Sequence, residues 1–324
     1  MSTPLILLDG GLGTTLTDQH AQIFNPETPL WSSHLLLSPS GRATLLAAQK
    51  RFREAGAELI LSATYQASFE GFKLSGVDDE REAGGRMRGG VRVARAAVEC
   101  VKEGGLGVEG GKGKVVLGLG AYGATMVPGQ EYSGLYDEEH SSQEGLREWH
   151  FKRIQAFMPG AEDEEERNAC WEGVDFIAFE TLPRLDEVLA VREVMGKVDG
   201  MVGKGGEREF WISCVFPGEG HCLPDGSRIG EVVKAMLAGK WKRPMGVGIN
   251  CTRVGKVEEL VGEFEEEVKR LLEIGEVEEW PSLVVYPDGT KGEVYNTSTK
   301  EWMTSEVSEE SLVSCLHWKA VEVR

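Results

Sequence analysis

The sequence lacks the features that mark membrane, secreted and nucleic-acid-binding proteins. No run approaches the roughly 18 uninterrupted apolar residues of a membrane-spanning helix, and the N-terminal stretch MSTPLILLDGG has no basic segment typical of a signal peptide. Basic residues are scarce, since 35 Lys and Arg against 53 Asp and Glu give 35 − 53 = −18. Such a charge leaves no basic stripe for a phosphate backbone. We expect a cytoplasmic protein with neither a nucleic-acid nor a membrane partner; nothing in the sequence indicates its oligomeric state.

Cysteine is also sparse and irregularly placed. The six cysteines include no C-x-x-C pair, which excludes a self-contained zinc ribbon. Scattered cysteines in a chain of 324 residues are typical of a reducing compartment rather than of a disulfide framework.

Seven short apolar runs alternate with longer amphipathic stretches. Runs rich in Val, Ile and Leu are typical of parallel strands that are covered on both faces. The runs are 5–11, 58–66, 114–124, 175–181, 209–216, 245–251 and 282–289. Helical patterns occupy 41–56, 185–195 and 229–238. This alternation predicts a parallel α/β sheet, either doubly wound or closed into a barrel.

The ends of the apolar runs favour the barrel. Polar side chains follow nearly every run, namely Asp9, Thr64, Tyr122, Glu180, Asn250 and Cys251. In a barrel such strand ends meet at one mouth, whereas in a doubly wound sheet only those near the switch point do. Because only seven runs are present, we predict a (β/α)8 TIM-type barrel that is incomplete, with the eighth strand and helix missing.

No repeat or linker divides the chain, so we predict a single domain over residues 1–324. Two segments resemble loop insertions. Residues 102–114 consist of glycine and charge with little to bury, and residues 158–167 open with a Pro-Gly break and continue as an acidic block expected to be solvated.

Three of the strand-end residues have more than one interpretation. Asp9 opens DGGLGTTL, which matches neither phosphate-binding pattern, so the glycines either form a tight turn or let a ligand approach beside Asp9. Glu180 lies at the rim in water, pairs with a basic side chain, or holds a substrate ammonium group together with Asp9. Cys251 is either an inert buried thiol or a metal ligand.

Six segments between residue 5 and about residue 302 together carry a family resemblance. They are LLDGGLGTTL (7–16), SATYQASFEGF (62–72), GAYGATMVPGQEYSGLY (120–136), GVDFIAFETLPRLDE (173–187), GVGINCT (246–252) and VVYPDGTKGEVYN (284–296). In this order they resemble the homocysteine S-methyltransferase family. The resemblance implies a (β/α)8 barrel that binds catalytic Zn²⁺ through three cysteines, one of them in a G-x-N-C motif and two in a later G-G-C-C motif.

Carried over to this chain, the resemblance implies roles for individual residues. Cys251 becomes the catalytic zinc ligand, with Asn250 before it in the motif. Asp9 and Glu180 match the acidic positions that hold the amino group of homocysteine. Thr64 and Tyr65 fall in the segment that lines the same mouth. The predicted substrate-binding residues are therefore Asp9, Thr64, Tyr65, Glu180 and Asn250.

The implied reaction transfers a methyl group from a sulfonium donor, S-methylmethionine or S-adenosylmethionine, to the zinc-bound thiolate of homocysteine, giving methionine. The segment PGQEYSGLY resembles the corresponding segment of the family branch that uses such donors. Residues 120–136, which would form part of the rim of the barrel mouth, would help to place the donor. A thiol with a pKa of about 8.5 is mostly protonated at neutral pH, and coordination to zinc removes its proton.

The sequence departs from this pattern at the metal site, because it contains no adjacent pair of cysteines. Residues 307–323 resemble the helix that precedes the last strand, and the chain stops at Arg324 about where that strand should begin. Within this predicted helix Cys315 and His317 are two residues apart and do not share a face.

Three other side chains come into question as replacements. Cys214 lies within a strand run and faces either the barrel interior or the helical layer. His221 and Cys222 follow that run on the mouth side and are the remaining candidates to complete a metal site with Cys251. The alternative function is therefore a catalytically impaired or truncated homologue that binds an amino acid without turnover. A third interpretation, an unrelated barrel enzyme for a phosphorylated substrate, has only the YPDGTKGE loop in its favour.

Overall fold

The computed structural model describes residues 5–24, 28–101 and 113–288, together with the backbone of 293–296 and 301–304. The helices are α1 Leu12–His20, α2 Pro39–Glu54, α3 Phe69–Leu74, α4 Glu80–Cys100, α5 Gln143–Gln155, α6 Glu164–Glu172, α7 Leu185–Val202, α8 Ile229–Leu237 and α9 Val254–Glu273. The strands are β1 Leu59–Leu61, β2 Lys114–Gly120, β3 Phe176–Leu182, β4 Glu209–Cys214, β5 Gly246–Arg253, β6 Ser282–Asp288, β7 Glu293–Asn296 and β8 Glu301–Thr304.

Six parallel strands form one sheet in the order β1-β2-β3-β4-β5-β6. Leu8 adds a parallel bridge to Leu59, so the first apolar run continues the same order beside β1. The strand order never reverses among the described residues, and therefore the doubly wound alternative is wrong. The curled sheet is consistent with a partial TIM-type barrel, while closure by an eighth strand is not shown. Strands β7 and β8 pair with each other as an antiparallel hairpin.

The two faces of the sheet bury different sets of side chains, as the two-residue period of a strand requires. In β4, Phe210, Ile212 and Cys214 pack into the large core between sheet and helices. Trp211 points to the other face and joins a small apolar cluster with Val116 and others. Cys214 therefore belongs to the helical layer and does not face the barrel interior.

The predicted helices 41–56, 185–195 and 229–238 are confirmed as α2, α7 and α8. Local capping explains several helix starts, because a side chain accepts a hydrogen bond from the backbone N–H three residues on. Ser38 caps α2 in this way, and Asp79 caps α4. Among the described residues no helix is long and apolar enough to cross a membrane.

The acidic block at 158–167 is not a solvated loop throughout, because α6 begins at Glu164. Asp163 forms an ion pair with Arg81 of α4. Glu166 pairs with Arg92 and, at 3.2 Å, with the buried Arg88. Glu162, Glu164 and Glu165 are exposed as expected of a solvated block, whereas Asp163 and Glu166 contact the arginines that α4 presents to this segment. The other predicted insertion, apart from its last two residues, and the whole predicted helix 307–323 with Cys315 and His317 lie outside the described residues.

Candidate active site

The strand ends bring the two predicted acids to the same mouth. The Asp9 carboxylate accepts a hydrogen bond from the backbone N–H of Leu61 at 2.9 Å. Glu180, near the end of β3, is only 5% exposed. Burial raises the pKa of Asp9 well above its usual range, and the neighbouring Glu180 raises that pKa further. The two carboxyl groups therefore share one electrostatic environment.

Strands β3 and β5 both lose their regular register just before they end. The irregularities lie between Phe179 and Leu182 and between Asn250 and Arg253. At these points Thr181 and Cys251 adopt left-handed backbone conformations, with φ of 61° and 47°. Non-glycine residues in this region carry strain, and irregular strand ends re-aim side chains at functional sites. The distortion explains how consecutive residues present functional groups at the mouth.

Asn250 holds the two distorted strand ends together. Its carboxamide oxygen accepts from the backbone N–H of Thr181 at 2.9 Å, and its nitrogen donates to the Thr181 hydroxyl at 2.7 Å. The same nitrogen lies 3.2 Å from Sγ of Cys251. The Asn250 side chain is 1% exposed. Because water cannot reach it, these protein groups satisfy its hydrogen-bonding capacity. Asn250 is therefore placed to hold the thiol rather than to project into the mouth.

The Cys251 thiol is neutral at neutral pH. Burial raises its pKa to about 12, and the carboxylate of Asp288 adds to the rise. Hydrogen bonds from Thr181 and Tyr132 act in the opposite direction but are outweighed. Without a bound cation, this sulfur is a poor nucleophile.

Glu180 titrates near neutrality. Burial raises its pKa to about 7, against a hydrogen bond from Tyr286 and the positive charge of Arg153. Asp9 and Glu180 both have raised pKa values, and a bound ammonium group would stabilise their ionised forms.

Thr64 and Tyr65 contribute differently to the mouth. The Thr64 hydroxyl is fully buried and donates to the carbonyl of Gly118 at 2.8 Å, so it fixes the loop after β1 to β2. The half-buried ring of Tyr65 reaches the mouth, where its hydroxyl hydrogen-bonds Thr181 and its pKa is raised, first by burial and then by Glu131 and Cys251. Tyr65 can contact a ligand, whereas Thr64 acts through the backbone.

Several residues at the mouth are not identified by the sequence alone. Tyr286 and Asp288 lie at the end of β6, where the rule that polar residues follow apolar runs would have found them. Tyr132 lies within the rim 120–136 that was predicted only as a segment. Thr181 carried no signal, because its role depends on a backbone conformation that the sequence does not reveal.

The rim at 120–136 is fastened to the helices by a carboxylate that was also missed. Glu187 of α7 is fully buried and accepts hydrogen bonds from the Tyr122 backbone N–H and the Tyr136 hydroxyl, each at 2.6 Å. It also pairs with His150 of α5 at 2.8 Å, and burial lowers the pKa of that imidazole. The rim is therefore fixed relative to α5 and α7.

The side chains around Cys251 do not fit a zinc site with three cysteines. In the part of the chain that the structure describes, no group of three or more His, Cys, Asp or Glu side chains could hold a metal ion. The imidazole of His221 contacts the carboxylates of Glu259 and Glu263 of α9, and the backbone of Cys222 forms an isolated antiparallel β-bridge with that of Arg228. The proposed substitute site of Cys251, His221 and Cys222 is therefore wrong.

A curled parallel α/β sheet with acids and a thiol at its strand ends defines the class of barrel-type proteins that bind a small molecule at one mouth. Residues 6–322 match the family model described as Homocysteine S-methyltransferase. The chain belongs to the homocysteine S-methyltransferase family, and this membership disfavours an unrelated barrel enzyme for phosphorylated substrates.

Curated relatives match along most of their length. Homocysteine S-methyltransferase 3 of Arabidopsis thaliana is 30% identical over 95% of this chain and 80% of its own length. Homocysteine S-methyltransferase 4 of Zea mays is 32% identical over 93% of this chain and 77% of its own length. Selenocysteine Se-methyltransferase of Brassica oleracea var. italica is 31% identical, with coverage of 95% and 79%.

Solved structures share the fold. The oxidized form of the homocysteine methyltransferase MmuM from Escherichia coli has a TM-score of 0.68 and 25% identity, covering 89% of this chain and 83% of that chain. The metallated form has a TM-score of 0.66 at 22% identity, covering 89% and 93%, and shows a likeness of fold.

Proposed function

We propose that this protein transfers a methyl group from a sulfonium donor, S-methylmethionine or S-adenosylmethionine, to the sulfur of homocysteine, giving methionine. The observation that carries the proposal is the pair of acids with raised pKa values, the partly buried Asp9 and the buried Glu180, beside the Cys251 thiol at one mouth. The names of the relatives support the acceptor, since they describe methyltransferases for homocysteine and selenocysteine.

In this proposal the amino group of homocysteine lies between Asp9 and Glu180. Tyr65 forms one wall, Thr64 fixes the loop that carries that wall, and Asn250 holds the strand end at which the substrate sulfur lies beside Cys251. The rim at 120–136 places the donor. Burial disfavours the negative charge of these two carboxyl groups, and an ammonium group between them stabilises that charge.

The transfer forms one bond and breaks one bond. The homocysteine sulfur attacks the methyl carbon, the bond from that carbon to the donor sulfur breaks, and the donor leaves as a neutral thioether. The thiol proton of homocysteine is released to solvent. Because a positively charged sulfur is already a good leaving group, no general acid is needed, and the task of the protein is to hold the two sulfurs in line with the methyl carbon.

Zinc is implied by the family resemblance, and Cys251 is the sulfur ligand that the described mouth residues would offer. One thiol does not complete a set of three cysteines, so no step of the reaction is derived through the metal. Without it, the attacking species is the minority of substrate thiolate, and the rate of transfer is expected to rise with pH towards about 8.5.

A second function follows from the same thiol. Since Cys251 stands without two further cysteines in the described mouth and its pKa is raised to about 12, a homologue that binds homocysteine without turnover also fits the geometry.

Mass spectrometry of methionine formed from L-homocysteine and deuteromethyl S-methylmethionine or S-adenosylmethionine tests both functions. The assay is run across pH 6–9, with and without added Zn²⁺. Labelled methionine that requires both substrates supports the transferase. Homocysteine binding without labelled methionine supports the second function, and the absence of both contradicts the two proposals.

A further inference from the structure

Arg153 of α5 is a buried cation whose side chain donates hydrogen bonds to four backbone carbonyls at the mouth. It is 2% exposed. Its Nε donates to the carbonyl of Ala67 at 2.7 Å, and Nη1 donates to the carbonyl of Gly120 at 2.7 Å. Nη2 donates to the carbonyls of Thr64 at 2.9 Å and of Tyr65 at 2.6 Å. One planar guanidinium therefore joins the loop after β1 to the end of β2.

The geometry of this contact controls the position of Tyr65. The Tyr65 carbonyl accepts from Arg153 and also from the backbone N–H of Gly120, the latter at 2.9 Å. The Tyr65 ring then covers Gly120, because a Cβ added to Gly120 would lie 2.7 Å from Cε2 of that ring. The backbone around Tyr65 is held from one side by Arg153 and from the other by β2.

A guanidinium fork is required for this arrangement. Burying a charged group is costly unless its donors are satisfied, and here the four carbonyls satisfy donors on all three nitrogens. A lysine ammonium would keep the charge but lacks the fixed planar fork that spans four carbonyls. Replacing Arg153 by lysine therefore loosens the loop while the positive charge is kept.

We propose that Arg153 is a positioning residue for the amino-acid substrate, which acts by holding the ring of Tyr65 in place at the mouth. This inference rests on the proposed function, since it assigns Arg153 to the binding of homocysteine. Arg153 itself does not touch the reacting atoms.

The chain contains a matched control in Arg192 of α7. Arg192 is also fully buried, and its three nitrogens donate to the carbonyls of Ala235, Ala238, Trp241 and Lys242 at 2.5–3.0 Å. These carbonyls lie after α8 or at its end, before β5 begins, which is the opposite end of the sheet from the mouth. Arg192→Lys thus disturbs an equivalent cluster of bonds away from the substrate.

The test compares Arg153→Lys with Arg192→Lys by isothermal titration with L-homocysteine. Both variants should unfold at lower temperature. Only Arg153→Lys should weaken homocysteine binding, by about tenfold or more, since small displacements of a site residue are costly; Arg192→Lys should change it by less than about twofold. Arg153→Gln, which keeps two N–H donors, replaces the lysine variant if that does not fold.

Fluorine NMR of protein labelled with 3-fluorotyrosine reports the position of Tyr65 without any ligand. The chain has six tyrosines, and Tyr65→Phe identifies the resonance of interest. That resonance should shift or broaden in Arg153→Lys and stay unchanged in Arg192→Lys.

The outcomes separate the inference from the proposed function. If the wild-type protein binds homocysteine and the two lysine variants bind it equally well, the positioning role is overturned while the proposed function stands. If the wild-type protein does not bind homocysteine, the proposed function fails, and Arg153 is then a structural residue even if the Tyr65 resonance moves.

Discussion

Glu180 is the residue at which charge and ligand binding are most directly coupled. Burial raises its pKa to about 7, and an ammonium ligand favours the ionised form. We expect the dissociation constant of homocysteine to increase towards about tenfold per unit as the pH falls below 7. Titration calorimetry between pH 5 and 8 measures this dependence, and Glu180→Gln should bind weakly and lose the part of the dependence that comes from Glu180. A wild-type dissociation constant that is independent of pH would contradict the assignment.

The ligand-free protein should show the opposite trend at the same residue. Because the folded-state pKa of Glu180 lies above its usual value of 4.5, the folded state binds more protons between these two values. The contribution of Glu180 to the free energy of unfolding therefore falls as the pH rises from about 4.5 to about 7 and is level above that pH. The total change is on the order of 3 kcal/mol. Urea denaturation of wild type and Glu180→Gln isolates this contribution.

The backbone at Cys251 gives a second test at the scale of one residue. Its φ of 47° suits glycine better than any side chain with a Cβ. We expect Cys251→Gly to be more stable than Cys251→Ala by about 1 kcal/mol, since both lack the thiol and differ only in the Cβ that the left-handed backbone disfavours. At the buried helical residue Ala97, exchange to glycine should instead cost about 1 kcal/mol. Chemical denaturation compares the variants, and an alanine variant more stable than the glycine variant would show that no strain is present.

At the scale of elements, glycine in β2 makes room for the acidic site. A Cβ on Gly118 would lie 3.0 Å from Oε2 of Glu180. We expect Gly118→Ala to displace that carboxyl group and to weaken homocysteine binding by about tenfold. Gly262 on the exposed face of α9 has open space around it, so Gly262→Ala should stabilise the protein by about 0.5–1 kcal/mol without affecting binding. Equal binding by both variants would contradict the role of Gly118.

The contact between α4 and α6 tests how far an acidic segment contributes to folding. Glu166 pairs with Arg88, whose side chain is 3% exposed, and with Arg92. Glu166→Gln removes the charge opposite a buried guanidinium and should lower the free energy of unfolding by about 1–3 kcal/mol. Glu165→Gln on the exposed face of the same helix should change it by less than about 0.5 kcal/mol. Thermal unfolding of the two variants decides, and equal stability would show that the ion pairs contribute nothing.

At the scale of the whole molecule, the sequence predicts what repeats along the chain and misses what depends on distant contacts. Apolar runs place β1 to β6, and because the carboxyl ends of parallel strands share one edge of the sheet, they also bring Asp9, Glu180 and Cys251 together. The pairing of Asp163 with Arg81 joins residues 82 positions apart, and no local pattern indicates it. The same holds for Arg153, whose four acceptors lie 33 to 89 residues away.

The most direct test of the account is calorimetric titration of the purified protein with L-homocysteine and with N-acetyl-L-homocysteine. Acetylation removes the positive charge of the amino group and leaves the thiol in place. The account predicts that L-homocysteine binds and that acetylation weakens binding at least about a hundredfold, as expected when an ammonium group between the carboxyl groups of Asp9 and Glu180 is lost. Equal affinity for the two compounds, or no binding of L-homocysteine by the folded protein, would contradict it.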